Sequence, residues 1–395
     1  MAEIEVYSKE WCPYCAKAKA LLKSKGLKYR EIDVTRDEAL QQEMIQRSGR
    51  RTVPQIFIGG ESVGGYDDLA GLNATGELDR RLGLQSRADL SKVYDVAILG
   101  SGPAGMSAAI YAARKNLSTI IISSDLGGQV GTTYDIANYP GFQMITGPDL
   151  VQKFSEHVGR HGIEQLIGEK VTGMEVDGRV KTIRTASGRE VRGRTVIIAT
   201  GAQKRRLNIP GEKELSGRGV VYCSTCDGPL FKGLTIAIVG GGNSALEAAI
   251  EMDGLAKKVY LVSRGDWSGD EILQDKLAVA RHVEILKNHQ PVEIHGSGKV
   301  EGITLKDARS GETRRLAVDG VFVEVGLYPN TDFALDLVET NERGEIRVDR
   351  HGQTGVRGVF AAGDATDSHD KQIVISAGEG ARAALAAFEY LVKQV

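Results

Sequence analysis

The sequence predicts an α/β fold built of three strand–helix units, and three observations predict it. "AEIEVYSKEWCPYCAKAKALLKSKG" reads as a short alternating strand, a loop and an amphipathic helix. "YDVAILGSGPAGMSAAIYAARKNLSTIIIS" reads as a buried strand, a glycine turn, a small-residue helix and a second strand, and "LTIAIVGGGNSALEAAIEMDGLAKKVYLVSR" repeats that design. The length agrees, since 395 residues exceed one ordinary domain of about 150. Basic and acidic residues nearly cancel, 50 against 52, which leaves no electrostatic footprint for nucleic acid. No apolar run approaches the roughly 20 residues of a membrane span, and the start shows no charged-then-apolar export signal. The expectation is a cytoplasmic protein without membrane contact.

In the first unit the helix carries apolar Ala18, Leu21 and Leu22 and is closed by Gly26. That places Cys12 at a helix N-terminus, where unpaired N–H groups and the helix dipole stabilise a thiolate. Cys15 lies one turn in, close enough to resolve a mixed disulfide. A strand, "KYREIDV", and a helix around "EALQQEMIQRSG" follow. "TVPQIFIGGESVGGYDDL" then predicts strand, Gly-Gly turn, strand, and a helix opening at Asp67–Asp68. Pro54 heads a strand, where a missing N–H is tolerated; a cis bond before it would bring the Val53 backbone beside the thiol.

The chain has only four cysteines, in two C-x-x-C pairs, Cys12 with Cys15 and Cys223 with Cys226. A secreted disulfide scaffold would be short and cysteine-dense. A four-thiolate zinc site usually brings its pairs within about 15 to 20 residues, whereas these stand about 200 apart. No metal site is expected; the pairs read as catalytic dithiols of a reducing cytosol.

"WCPYC", "TVPQIFI" and "GGYDDL" occur in the order and spacing of the glutaredoxins, and residues 1–82 closely resemble that family, a thioredoxin-like fold. The resemblance implies an attacking Cys12, a resolving Cys15 and a glutathione groove at Lys9, Tyr14, Thr52, Val53, Pro54, Gly65, Tyr66 and Asp67. The chemistry agrees: glutathione carries two carboxylates and an amine, which call for a cation such as Lys9, backbone donors at Val53 and an acid such as Asp67. A charged, periodicity-poor stretch, about residues 76–95 with the linker proper at 83–92, follows as a short helix and tether.

The two repeated units carry dinucleotide signatures of Rossmann type. Gly100, Gly102 and Gly105 form G-x-G-x-x-G between strand and helix, and Gly240, Gly242 and Ala245 form G-x-G-x-x-A in the same context. The absent side chains let a pyrophosphate approach the helix N-terminus. Two such folds suggest two dinucleotides, a flavin and a nicotinamide. After the first unit's second strand, Ser123–Ser124–Asp125 leaves the usual ribose acid displaced or missing. After the second unit's, Ser263–Arg264 offers a cation suited to a 2′-phosphate, which favours NADPH, with Asp266 keeping NADH as the alternative. "GVFAAGDA" (358–365) runs a strand into Gly363–Asp364, an acid placed for a ribityl hydroxyl, before a long alanine-rich closing helix.

Residues 93–395 resemble the low-molecular-weight thioredoxin reductase superfamily, and within it the flavoprotein subunit of alkyl hydroperoxide reductase. "GSGPAG", "GGQ", "ANYPGF", "IIATGA", "CSTCDGPLFKG", "GGGNSALEAA", "EILQDKL", "VEVGLYPNT" and "GVFAAGDA" carry the likeness. It implies a homodimer with FAD in a domain of 93–207 plus 330–395, and a nicotinamide domain, 208–329, inserted between and bearing the inner dithiol. For FAD it implies Gly100, Gly102, Pro103, Ala104, Gly105, Gly128, Gln129, Asn138, Thr200, Gly201, Gly363, Asp364, Gln372 and Ile373. For NAD(P)H it implies Gly240, Gly242, Asn243, Ser244, Ala245, Ser263 and Arg264. Two departures stand out: Gly269 occupies the place of a second NADPH-selective arginine, and one glutaredoxin replaces that flavoprotein's double thioredoxin-like front.

The resemblance further implies that Cys226 faces the flavin, Cys223 attacks outward, and Asp227 moves protons for the pair. Electrons would run from NAD(P)H through FAD to Cys223–Cys226, to Cys12–Cys15, and on to glutathione disulfide, a peroxiredoxin or another disulfide protein. The inserted domain would rotate about its two connections. Two alternatives are a flavoprotein dedicated to a peroxiredoxin and a thioredoxin reductase carrying a non-catalytic docking domain.

Overall fold

The computed structural model describes residues 3–25, 27–74, 77–82, 88–133 and 135–394. The expected helix-closing Gly26 and linker residues 83–87 lie outside them. Two compact units are present: residues 1–135, 145–201 and 329–395 form the first, and 136–144 with 202–328 form the second.

The first unit opens with a four-stranded sheet. β1 (Ile4–Ser8) runs parallel to β2 (Arg30–Asp33) and antiparallel to β3 (Gln55–Ile58), which pairs with β4 (Glu61–Gly64), giving the order β2-β1-β3-β4. α1 (Pro13–Ser24), α2 (Glu38–Ser48) and α3 (Tyr66–Ala74) pack on it, and α4 (Glu77–Arg81) follows. Ile4 and Val6 of β1, Leu22 of α1, Ile56 of β3 and Leu69 of α3 are buried in one cluster, so the alternation read from β1 becomes one face of a core. The second helix stops where Gly49 takes φ 70°, the left-handed cap glycine permits.

A larger seven-stranded sheet completes this unit. β5 (Val93–Leu99) leads through the glycine turn into α5 (Pro103–Arg114), and β6 (Thr119–Ser123) returns parallel to it. α6 (Gly147–Arg160) and strand Glu164–Ile167 extend that side; the long strand Glu190–Ile198 flanks β5 on the other and is itself flanked by Val359–Ala361.

The second unit has a parallel five-stranded sheet in the order 220–221, 320–323, 235–239, 258–263, 283–287, and a three-stranded antiparallel sheet from 289–316. α7 (Ser224–Asp227) carries the inner dithiol, α8 (Asn243–Asp253) follows the second glycine turn, and α9 (Glu271–Ala278) comes after. Strands 202–204 and 327–329 pair with each other at the entry and exit of this unit. The chain returns to the first unit to end in α10 (Ile373–Val392). No helix among the described residues is long and apolar enough to cross a membrane.

Candidate active site

Both C-x-x-C pairs are disulfides built on one local device. Cys12 caps α1 with Pro13 as its first residue, and its Sγ accepts the Cys15 N–H at 3.1 Å. Cys223 caps α7, and its Sγ accepts the Cys226 N–H at 3.2 Å. Each sulfur thus sits where a short helix offers an unpaired donor, the setting that favours a thiolate once the bond opens. Their Cα–Cα separations are 5.2 and 5.3 Å.

Around the outer pair, Cys15 is buried while Cys12 is partly accessible. The Val53–Pro54 bond is cis, and the Val53 carbonyl oxygen lies 3.7 Å from Cys12 Sγ. Thr52 and Asp67 are exposed, and Tyr14 is half-exposed. Asp68, not Asp67, is engaged locally: it accepts the Gly65 N–H at 2.8 Å and the Arg50 guanidinium at 2.6 Å. Tyr66 is buried within this unit because α6 lies over it; its hydroxyl donates to Gln152 at 3.3 Å, and Lys17 Nζ donates to Asp149 at 2.6 Å. Burial, and then the charge of Asp149, push the Tyr66 phenol up to about 12. A cleft of about 320 Å³ opens beside Cys12, lined among others by Lys9, Trp11, Lys19, Glu31 and Asp33. Trp11, absent from the expected site, stands 96% exposed next to the cysteine; its place beside "CPYC" was the signal available.

At the first glycine turn, Gly100 has φ 107°, and a Cβ there would collide with the Ala199 carbonyl. No side chain caps α5, whose N-cap is Gly102. A Cβ on Gly128 would meet the backbone of Gly102, its Cα at 3.6 Å and its N at 4.0 Å, so two bare backbones confront each other. Uncapped helix donors behind side-chain-free glycines fit a pyrophosphate. Asp364 accepts from Gln129 at 3.3 Å and from Ser376 at 3.1 Å, and Glu379 accepts the Gly363 N–H at 2.8 Å. Thr200 and Asn330 exchange hydrogen bonds at 2.7 and 2.9 Å. Gln372 is the N-cap of α10 and Ile373 its first residue. Asp125 accepts the Gly128 N–H at 2.9 Å, so it holds the turn. Asn138 falls in segment 136–144, which belongs to the second unit.

The second glycine turn repeats the geometry. Gly242 caps α8 without a side-chain bond, and a Cβ on Gly240 would lie 2.7 Å from that of Ala245 and collide with the Glu324 carbonyl. Asn243 spends its amide on Asp270, donating at 2.9 Å and accepting that residue's N–H at 2.8 Å. Ser263 is buried, its hydroxyl donating to the Gly265 carbonyl at 2.7 Å. Arg264 is exposed, and Lys287 pairs with Asp266 at 3.2 Å. A Cβ on Gly269 would lie 2.4 Å from a terminal methyl of Leu246, so a side chain there would require that leucine to shift.

The inner dithiol is reached along segment 207–222, anchored by buried Glu212, which accepts from the backbone of Leu207 and Asn208 and from the Tyr222 hydroxyl at 3.0 Å. Burial, reinforced by that carboxylate, pushes Tyr222 up to about 12. Asp227 ends α7, and its N–H donates to the Cys223 carbonyl at 3.0 Å. Glu324, which sequence reasoning passed over, follows strand Gly320–Val323, which runs between strands 220–221 and 235–239. Burial pushes its carboxyl up to about 7.

Residues 94–384 match the family described as pyridine nucleotide-disulphide oxidoreductase, and residues 4–63 match glutaredoxin. The chain is 42% identical over 347 residues to the F subunit of alkyl hydroperoxide reductase from Staphylococcus aureus (strain MRSA252), covering 86% of this chain and 67% of that protein. The protein of the same name from Pseudomonas putida is 39% identical over 388 residues, covering 97% of this chain and 74% of its own length. Among solved structures, thioredoxin reductase from Streptococcus pyogenes MGAS5005 superposes with a TM-score of 0.72 at 40% identity, over 76% of this chain and 99% of that one.

Proposed function

The chain belongs to the pyridine nucleotide-disulphide oxidoreductase family with a glutaredoxin domain at its front, and from that premise we propose that its two dithiols act in series. It is a flavin-dependent disulfide reductase; the series, the nucleotide and the final acceptor are our inference. Bound FAD supplies the two-electron chemistry that links a nicotinamide to a disulfide. The residues of the first glycine turn, with Gly128, Gln129, Thr200, Gly201, Gly363, Asp364, Gln372 and Ile373, would hold it. Gly240, Gly242, Asn243, Ser244 and Ala245 would hold the nicotinamide nucleotide, with Arg264 selecting NADPH.

The observation that carries the series is the shared device at the two pairs. Cys223 and Cys12 each cap a helix and each accept the N–H of the cysteine three residues on. Opened by two electrons, the inner pair presents Cys223 to attack the Cys12–Cys15 disulfide. Asp227 takes or returns the proton. The reduced outer pair then attacks through Cys12, and Cys15 resolves the mixed disulfide. Glutathione disulfide suits the groove of Tyr14, Thr52, Val53 and Asp67. Fusion makes the first acceptor intramolecular, at an effective concentration on the order of millimolar. The inserted unit turns about connections flanked by Gly201 at φ 67° and Gly326 at φ 93°, and the protein works as a homodimer in a reducing compartment.

A second reading, a reductase dedicated to a peroxiredoxin, draws on relatives named as a subunit of alkyl hydroperoxide reductase. The test of the series is an anaerobic thiol count. Oxidised holoenzyme is mixed with excess NADPH, or NADH, then acid-quenched, alkylated and mapped by mass. Labelling of all four cysteines is expected, faster with NADPH. Labelling of Cys223 and Cys226 alone would show the two halves uncoupled.

A further inference from the structure

In a doubly wound sheet a nucleotide lies across the carboxyl ends of neighbouring strands, and three such ends meet in the second unit. Strand Thr235–Val239 runs into the glycine turn, and strand Lys258–Ser263 lies beside it. Strand Val283–Lys287 lies beside that, with Lys287 directly across from Ser263. The loop that carries Arg264 is fastened onto the glycine turn. Ser268 donates its N–H to the Gly241 carbonyl at 2.8 Å, and a Cβ on Gly241 would stand 3.0 Å from Ser263 Oγ.

The acceptors of this loop are committed one by one. Ser263, at the strand end where a ribose-binding acid usually stands, donates its hydroxyl to the Gly265 carbonyl at 2.7 Å and accepts that residue's N–H at 3.3 Å. Asp270 accepts from the Asn243 amide at 2.9 Å. Asp266, two residues after Arg264, meets the Lys287 ammonium at 3.2 Å. That ammonium also lies 5.0 Å from the centre of the Trp267 ring, a second attraction that keeps it over the loop. Alone, residues 263–270 hold one arginine against two aspartates; Lys287, from a different strand, brings them to balance. Arg264 itself stands exposed.

We propose that Lys287 is a specificity-determining residue: by neutralising Asp266 it lets the Arg264 loop accept a ribose 2′-phosphate and denies a free 2′-hydroxyl its acceptor. The inference deepens the assignment of Arg264 to NADPH and rests on it. Two effects act in one direction. A free Asp266 carboxylate repels the 2′-phosphate that Arg264 attracts, because like charges at close range oppose binding. The same free carboxylate accepts a hydrogen bond from the 2′-hydroxyl of NADH. Held by Lys287, it does neither. The second cation missing at Gly269 is thus supplied from the end of the next strand.

The experiment is calorimetric titration of the full-length holoenzyme with NADP⁺ and, separately, with NAD⁺, so that binding is read rather than turnover. Lys287→Met keeps an aliphatic stem beside Trp267 and removes the charge. It weakens NADP⁺ by about tenfold, the scale of one uncompensated like charge in a partly screened site, and does not weaken NAD⁺. Lys287→Arg keeps the wild-type preference. Adding Asp266→Asn to Lys287→Met restores NADP⁺ affinity, because the repelling charge is gone. The gap between wild type and Lys287→Met narrows as salt rises from about 0.05 to 0.5 M. Equal loss of both nucleotides, no loss of NADP⁺, or a deficit that Asp266→Asn leaves in place overturns the proposal. The underlying reading is tested apart from it by wild type and Arg264→Ala. If wild type binds NADP⁺ no tighter than NAD⁺, or Arg264→Ala leaves their ratio unchanged, the assignment of Arg264 falls and this proposal with it.

Discussion

Replacing Gly380 with alanine sets helix propensity against packing, and the structure decides the sign. Gly380 is buried midway along α10 where that helix crosses the start of α5. A Cβ there would lie 2.7 Å from the carbonyl carbon of Ala104 and 2.8 Å from its Cα, and closer still to its oxygen. Carbon atoms in ordinary contact stand about 3.5–4.0 Å apart, so the helices must separate by roughly 1 Å. Overpacking of this kind costs about 1–3 kcal/mol, against a gain of about 1 kcal/mol from replacing a helical glycine. Gly363 offers no slack, since its own Cβ would stand 3.0 Å from that of Ala104. The displaced turn is the one whose free donors would meet the pyrophosphate, so the loss appears as FAD affinity weakened about fivefold to thirtyfold, the factor that 1–2 kcal/mol commands. The assay is fluorescence titration of apoprotein with FAD, beside thermal melts of the holoprotein. Gly378→Ala is the control: a Cβ there meets nothing within 4 Å, so propensity alone acts and the melt rises. Should Gly380→Ala bind FAD as wild type does and melt as high as Gly378→Ala, the packing argument is wrong.

Arg264→Ala should raise the KM for NADPH about tenfold while leaving that for NADH unchanged, because one charge-assisted contact to a phosphate is worth about that much; initial rates with each nucleotide decide it, and equal effects on both would remove Arg264 from 2′-phosphate recognition. Asp67→Ala should lower glutathione-linked turnover about tenfold, the cost of losing one ionic hydrogen bond to the tripeptide's amine, while sparing reduction of a peroxiredoxin. Equal loss on both substrates would argue that the exposed carboxylate acts by some other route.

The fold was legible because its signals are local. Gly100, Gly102 and Gly105 sit between an apolar strand and a small-residue helix, and so do Gly240, Gly242 and Ala245; both read directly as strand, turn and helix. The two cysteine turns likewise carry their geometry in four consecutive residues. What escaped needed partners far along the chain. Tyr66 is covered by a helix some 80 residues on, and nothing in "GGYDDL" announces it. Glu324 owes its raised carboxyl to burial, and as one acid at the end of an apolar strand it looks like any solvated charge. Asn243 stands at a cofactor position in the glycine motif, yet its amide closes on Asp270, a pairing set by how the 263–270 loop folds back. Gly269 shows another long-range term: its motif position suggests only a nucleotide preference, while a Cβ there would lie 2.4 Å from a Leu246 methyl, a neighbour the local sequence does not announce.

Among the described residues, the polar contacts between α6 and the glutaredoxin fold include the ion pair of Lys17 with Asp149 and the hydrogen bond of Tyr66 with Gln152. A partly exposed ion pair is worth about 1 kcal/mol or less, and a neutral hydrogen bond adds about as much. Single contacts of that size are individually weak. The ion pair weakens further as salt rises. On the proposed relay, in which the front domain takes electrons from one partner and hands them to another, contacts that are each this weak suit a surface that has to be released.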